Sequence, residues 1–224
     1  MRWWAFGLLA ACSFELRPST GGSDARLDAS SEGPIDAALD APLDAPGDAP
    51  IDAPHVFDPA TDCPGSYPIA LAGQTSRYRV ITAGNPAWVQ GIDCNNDLAG
   101  STHLAAIDTA AELTAVMVRV NATTSLPGGQ GCAYVGGVQR RNQATDSAGW
   151  LSITGGALLA SWDPGEPNDG GDNVEDSAEN FAMLERTRTS LIDVSGASSF
   201  GAICECDGKP IDAAAAAAII ASTP

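Results

Sequence analysis

Positive charge is what this sequence has least of. Its 224 residues carry 11 Lys and Arg against 28 Asp and Glu, a formal net charge of −17. The imbalance is uneven: residues 24–62 hold ten acids and one Arg, whereas residues 63–206 hold fifteen acids and seven Arg. Neither part offers the basic patch that nucleic-acid binding requires, and an acidic surface does not dock directly on anionic lipid. Histidine is scarce as well, with only His55 and His103. No cysteine pair has C-x-x-C spacing, so a zinc site has no signature here and a transition-metal centre is not expected. No apolar run is long enough to span a bilayer as a helix. There is no Ser/His/Asp order and no phosphate-binding glycine loop, so catalysis is not expected.

The amino terminus is apolar in a different way. Met1-Arg2 precedes a short apolar run from Trp3 to Ala11, which resembles a signal peptide. Leu9-Ala10-Ala11-Cys12 resembles a bacterial lipobox, with Cys12 as the lipid-modified residue. The expectation is an exported chain whose signal covers residues 1–12 and whose only link to a membrane is an acyl anchor. Ser13, rather than Asp, after the cysteine points to the outer membrane and cell surface. Residues 13–62 read as an acidic linker. Leu43-Asp44-Ala45-Pro46, Gly47-Asp48-Ala49-Pro50 and Ile51-Asp52-Ala53-Pro54 repeat every four residues. Proline at that period forbids helix, and like charges at the same period extend the chain.

Periodic patterns begin after Cys63. Tyr78 to Thr82 alternates as a strand. Residues 86–97 suit a first helix, with Pro86 at its start and Trp88 as an apolar anchor. Thr109 and Glu112 form a capping box for a second helix. In it Leu113, Val116, Met117 and Val120 recur at helical spacing, the mark of a core face. Strands follow at Cys132–Val138, Gly149–Ile153, Phe181–Leu184, Ser190–Val194 and Phe200–Cys204. Early helices and late short strands give an α+β class. The alanine-rich tail at residues 207–224 is expected to fray, since a short isolated helix is marginal in water.

Between the strands lies Trp162-Asp163-Pro164-Gly165-Glu166-Pro167-Asn168-Asp169, opening a run to Asn180 with seven carboxylates and no Lys or Arg. Glycine and proline make it a loop, and its length inside a compact domain suggests function. A loop this polar is expected to leave its carboxyl pKa values low, which argues against glycosidase-type acid and base roles.

These pieces resemble a C-type lectin-like domain over about residues 63–206. The order Trp88, Cys94, Gly100, His103-Leu104-Ala105, Ile107 and Glu112 is similar to the family's helical half. Tyr134-Val135-Gly136-Gly137 resembles its aromatic-Ile-Gly-Leu strand. Trp150, the Glu166-Pro167-Asn168 loop and the closing Ala202-Ile203-Cys204-Glu205 follow in family order. The implied fold is two helices packed on small antiparallel sheets with a long ligand-binding loop, and the implied Glu166–Pro167 bond is cis. The resemblance implies a disulfide between Cys94 and Cys204. Because the first and last strands adjoin in this fold, Cys63 and Cys206 become candidates for a second, leaving Cys132 as a buried thiol. The positions of another common family disulfide fall on Phe181 and Gly196, where Phe181 is expected to fill the space.

The resemblance further implies a Ca2+ site built from Glu166, Asn168, Glu179 and Asp193, with Glu166, Asn168 and Glu179 also reading sugar hydroxyls. Glutamate accepts and asparagine can donate, so the pair reads a vicinal diol from both sides. The family's remaining ligand falls on Ile192, which supplies no oxygen. An auxiliary cation is implied at Asp169 and Asn180; Asp172, Glu175 and Asp176 are expected to be solvated. The expected function is a surface-tethered, calcium-dependent carbohydrate-binding module of mannose type with an incomplete site. The competing reading is a calcium-independent adhesion or protein-recognition module on the same fold.

Overall fold

A computed structural model describes residues 55–159, 161–170 and 179–221. The expected signal and lipobox at Cys12, most of the acidic linker, and Asp172, Glu175 and Asp176 lie outside the described residues. Among those described there are eight strands and four helices, with the last five strands consecutive. They are α1 (Pro59–Asp62), β1 (Ile69–Ala70), β2 (Arg77–Asn85), α2 (Ala87–Asn96), β3 (Thr102–Leu104) and α3 (Ala110–Ala122). Then come β4 (Cys132–Gln139), β5 (Trp150–Ser152), β6 (Phe181–Glu185), β7 (Ile192–Val194), β8 (Phe200–Cys206) and α4 (Ala213–Ala221).

The α+β class holds, but the sheet differs from the expected small antiparallel sheets. The strands form one path, β1-β2-β8-β4-β6-β7, with β3 on β8 and β5 on β4. Its centre is a parallel pair, β4 with β8, while every other pairing is antiparallel. A strand covered on both faces needs no polar alternation, and β4 is buried at every position. Neighbouring residues therefore feed two apolar clusters, as a two-residue period requires. Tyr134, Met183, Ile192 and Cys204 face one cluster, shared with α4. Val135, Leu184, Leu191 and Ile203 face the other, where α3 inserts Leu113, Val116, Met117 and Val120.

The helix caps follow from local sequence. Thr109 accepts from the N–H of Glu112 at 3.1 Å. Glu112 reaches back one residue further than the capping box requires, to the N–H of Asp108 at 3.1 Å. Gly136 sits where a side chain has no room: a Cβ there would meet Ile153 at 2.5 Å and the Leu104 carbonyl oxygen at 2.7 Å. Both expected disulfides are present, Cys94–Cys204 and Cys63–Cys206, and Cys132 is a buried free thiol. Phe181 and Gly196 meet as expected, since a Cβ on Gly196 would lie 2.3 Å from the Phe181 ring.

The expectation of a frayed tail is corrected. Asp212 accepts from the N–H groups of Ala214 at 2.9 Å and Ala215 at 3.2 Å, which caps α4. Its own N–H donates to Ile153 at 2.9 Å, tying the cap to the domain. Ala215 and Ala218 are then buried. Alanine stabilises the helix and is small enough to let it lie close to the core.

Candidate ligand-binding site

The loop begins from a fixed base. Trp162 packs against Trp150 with ring centroids 4.6 Å apart and the planes tilted by 58°. It forms a bridge to Leu191, and the hydrogen bonds Asp163 N–H to Leu191 O and Leu191 N–H to Ser161 O are each 2.8 Å. Arg188 donates to the carboxylate of Asp163 and lies 3.5 Å from Glu185 at the end of β6. The sequence reading did not single out Arg188; its role arises from a hairpin that brings the β6 end beside the loop entrance. The N–H of Glu166 closes a turn on Asp163 O at 2.9 Å, and the Glu166–Pro167 bond is cis.

Beyond Pro167 the loop folds onto Asp193 of β7. The Asp193 carboxylate accepts the N–H of Asn168 at 3.0 and 3.1 Å and that of Asp169 at 2.8 Å. Asn168 Nδ2 donates to Glu166 Oε2, so the two motif side chains share one edge. The far end of the acidic run returns to the same place. Gly170 N–H donates to Glu179 Oε2 at 2.8 Å, and Glu179 N–H donates to Asp169 Oδ1 at 2.7 Å. Glu166, Asn168, Glu179 and Asp193 are thereby gathered at one rim from a loop, its return and a strand.

Asp169 and Asn180, the expected auxiliary pair, are both buried. Asp169 has φ 46°, a left-handed conformation that Asp tolerates better than most residues. One of its carboxylate oxygens is committed to the Glu179 amide, and the Asn180 carbonyl accepts from Gln139 N–H at 2.9 Å. Both residues brace the two ends of the loop. Ile192 turns into the apolar cluster and is 6 % exposed. Leu191 beside it is fully buried.

The expectation of low carboxyl pKa values in the loop is overturned. Glu166 is pushed up to about 7, first by partial burial and then by a hydrogen bond and charge repulsion from Asp193. Glu179 is raised by burial and again by Asp193. Arg188 opposes the shift on Glu166. Composition alone could not reveal this, because Asp193 follows Glu166 by 27 residues and meets it only after β7 pairs. Carboxyls that resist ionising together are short of positive charge. The donors are carboxylate and amide oxygens without imidazole or thiol, a set that fits a hard cation rather than a transition metal. The residues present are thus chemically suited to the implied cation, with Ile192 contributing nothing to it.

Compared by sequence, the chain matches no protein-family model and no characterised protein. Compared by structure, it is similar to the C-type lectin CEL-I from Cucumaria echinata, with 18% identity and a TM-score of 0.53, covering 66% of this chain and 99% of that one. An EPNH mutant of CEL-I aligns with 19% identity and a TM-score of 0.52, covering 64% of this chain and 96% of the other. Human lithostathine aligns with 18% identity and a TM-score of 0.50, covering 70% and 99%. The described domain has the C-type lectin fold.

Proposed function

We propose that this chain is a calcium-dependent carbohydrate-binding module, carried at a cell surface on the acidic linker through a lipid at Cys12. The observation that carries the reading is the convergence of Glu166, Asn168, Glu179 and Asp193 at a single rim, where Asp193 helps to raise the pKa of both Glu166 and Glu179. Calcium there would supply the positive charge these groups lack and two coordination positions for vicinal sugar hydroxyls. The chain's own residues do the selecting. Asp193 holds the backbone of Asn168 and Asp169 in place. Glu166 accepts from a hydroxyl, and Asn168 donates to one through its amide. Ile192 leaves the shell one side chain short, so affinity for the ion falls in the weak range of extracellular sites, about millimolar or slightly tighter.

Binding to a glycan array in calcium, abolished by chelator and by Asp193→Ala, is the expected result. No heat of calcium binding at about 10 mM calcium, above the extracellular-site range, would refute it.

One observation favours a second reading. Ile192 is packed into the core where a polar ligand would complete the site, as suits a calcium-independent module that recognises protein. Chelator-insensitive capture of a surface partner would select that reading.

A further inference from the structure

Two helices each turn a second stripe of side chains beside the one that docks them on the sheet. On α2 the buried residues are Ala87, Gln90 and Cys94. Cys94 is bonded to Cys204, and Gln90 donates to the carbonyl oxygens of Ala83 at 2.8 Å and Phe200 at 2.6 Å. Trp88, Gly91 and Asn95 follow one position later at the same helical spacing, so they share a neighbouring face. On α4 the buried residues are Ala215 and Ala218, and Ala216 and Ile219 form the next stripe. These two stripes and the buried Leu104 line one cleft of about 360 Å³.

Gly91 is the wall residue that the fold does not explain. Inside a helix only proline is less favourable than glycine. A glycine is normally required there by a left-handed backbone or by close packing. The φ of Gly91 is not left-handed. The nearest atom to a Cβ at Gly91 would be Leu104 Cδ1 at 3.9 Å, an ordinary contact, whereas a Cβ on Gly201 would meet backbone at 2.5 Å. Gly91 and Leu104 both line the cleft, so a side chain at Gly91 would grow into that space. The glycine keeps the cleft open.

The wall sets the chemistry of an occupant. Its polar side-chain groups are the Asn95 carboxamide and the Trp88 indole N–H, and no residue lining it is charged. Two carboxylates adjoin the lining residues in sequence, and both are matched. Asp93 is paired with Arg79 at 3.2 Å, and Arg79 is held in turn by Asp97 at 2.7 Å. Asp212 accepts the N–H groups that cap α4. Among these described residues an anionic head meets no spare cation, and a cationic head no spare carboxylate. The cleft therefore complements an uncharged group, which a carboxamide can meet as donor or acceptor. Ile92 and Ile220, 58 % and 73 % exposed, carry the apolar lining out to the mouth. Large apolar side chains left in water around a cavity mark a surface that a ligand covers.

A cavity of roughly 150 Å³ takes up benzene, and this cleft offers more than twice that volume. We infer that the cleft between α2 and α4 binds the alkyl chain of an uncharged amphiphile, about eight to ten carbons long, with its hydroxyl or similar neutral head within reach of Asn95. Both walls are fixed before binding, α2 by the Cys94–Cys204 bond and α4 by the Asp212 N–H on Ile153 O at 2.9 Å. That suits a largely preformed pocket. A second copy of the chain is a poor occupant, because each copy carries a net charge of −17 and like charges oppose their approach.

The test titrates the full chain with octanol, octanoate and octylammonium while NMR follows the Trp88 indole and Leu104 methyl signals. Octanol should shift both signals along one saturable curve and raise Tm as mass action requires. The two charged probes should bind at least about tenfold more weakly, because an unpaired charge is held poorly against an apolar wall. Gly91→Leu fills the cleft from α2 and should weaken octanol binding by at least about tenfold, the scale for altered apolar pockets. Leucine is a much better helix former than glycine, so this variant should melt no lower than the parent. Ala216→Met blocks the cleft from α4 and should weaken octanol in the same way, which keeps the test informative if either variant fails to fold. Undiminished octanol binding in a folded variant, tighter binding of octanoate than of octanol, or the absence of saturation overturns the inference. So do signals that shift with protein concentration alone, the mark of a second copy in the cleft.

Discussion

Asp193 accepts the backbone N–H groups of both Asn168 and Asp169, at 3.0 and 2.8 Å. One carboxylate on β7 thus sets the position of the loop that carries the Glu-Pro-Asn motif, and the same carboxylate raises the pKa of Glu166 and Glu179. Asp193→Asn should therefore act twice. It removes a charge from the cation site and weakens charge-assisted bonds to the loop, each worth about 1.5–3 kcal/mol. Calorimetry should find calcium affinity reduced by at least about tenfold, the equivalent of 1.4 kcal/mol. Thermal melts without calcium should find only a modest change, because the relief of carboxylate repulsion offsets part of the lost bonding.

The raised pKa of Glu166 has a direction that can be checked. Its folded value, about 7, lies above the ordinary 4.5 of a glutamate. Below that value the carboxyl holds a proton that a cation must displace. Calcium affinity should fall as pH drops through about 7, approaching tenfold per pH unit for one linked proton. The sign for the metal-free domain is opposite to that of a salt-bridged acid. Ionising Glu166 costs the folded state, so this group's contribution to stability is most favourable at low pH and is lost as pH rises through the folded pKa. Glu166→Gln should flatten the calcium profile between pH 6 and 8, a window centred on that value of about 7. An unchanged slope in that variant would remove Glu166 from the linkage.

Much of this arrangement is legible in local sequence and part of it is not. Thr109 and Glu112 announce α3 because a cap acts over three residues. The stripe from Leu113 to Val120 announces its buried face for the same local reason. The loop's glycines and prolines mark it as a loop, and the lectin-like resemblance supplies Glu179 and Asp193 from downstream. The strand register carries no such mark. Nothing near His103 in the chain indicates that Glu205 will stand across from it or that Asp207 will pair with its ring. The tail misleads for a related reason. An alanine tract is judged alone from sequence, whereas α4 owes its stability to the Asp212 cap and the burial of Ala215 and Ala218.

The Phe181–Gly196 contact makes a coupled pair. Phe181→Ala should cost about 3–5 kcal/mol, the range for removing a buried phenylalanine. Gly196→Ala should also destabilise, because its new methyl would meet the Phe181 ring at 2.3 Å. If that clash is the cause, Gly196→Ala should cost much less in the Phe181→Ala background. A double-mutant cycle by denaturant unfolding should return a coupling energy within the 0.5–3 kcal/mol seen for contacting residues. Additive effects would mean that the glycine is required for its backbone alone.

The Cys94–Cys204 bond closes a sequence separation of 110 residues and ties α2 to β8. Cys63–Cys206 closes 143 and ties the segment after α1 to the end of the same strand. Each loop is long enough that the chain-entropy model assigns about 4–5 kcal/mol to a single bond. The two are not independent, because both end on β8 two residues apart and either one already shortens the loop left for the other. Replacing Cys63 and Cys206 together by Ser should cost clearly less than replacing Cys94 and Cys204. The inner bond also crosses from helix to sheet beside the buried Gln90 and Leu104, so its loss leaves a packing defect as well as a freer unfolded chain. Denaturant melts of the two double variants check the order, and equal losses would mean that unfolded-state entropy alone sets the effect.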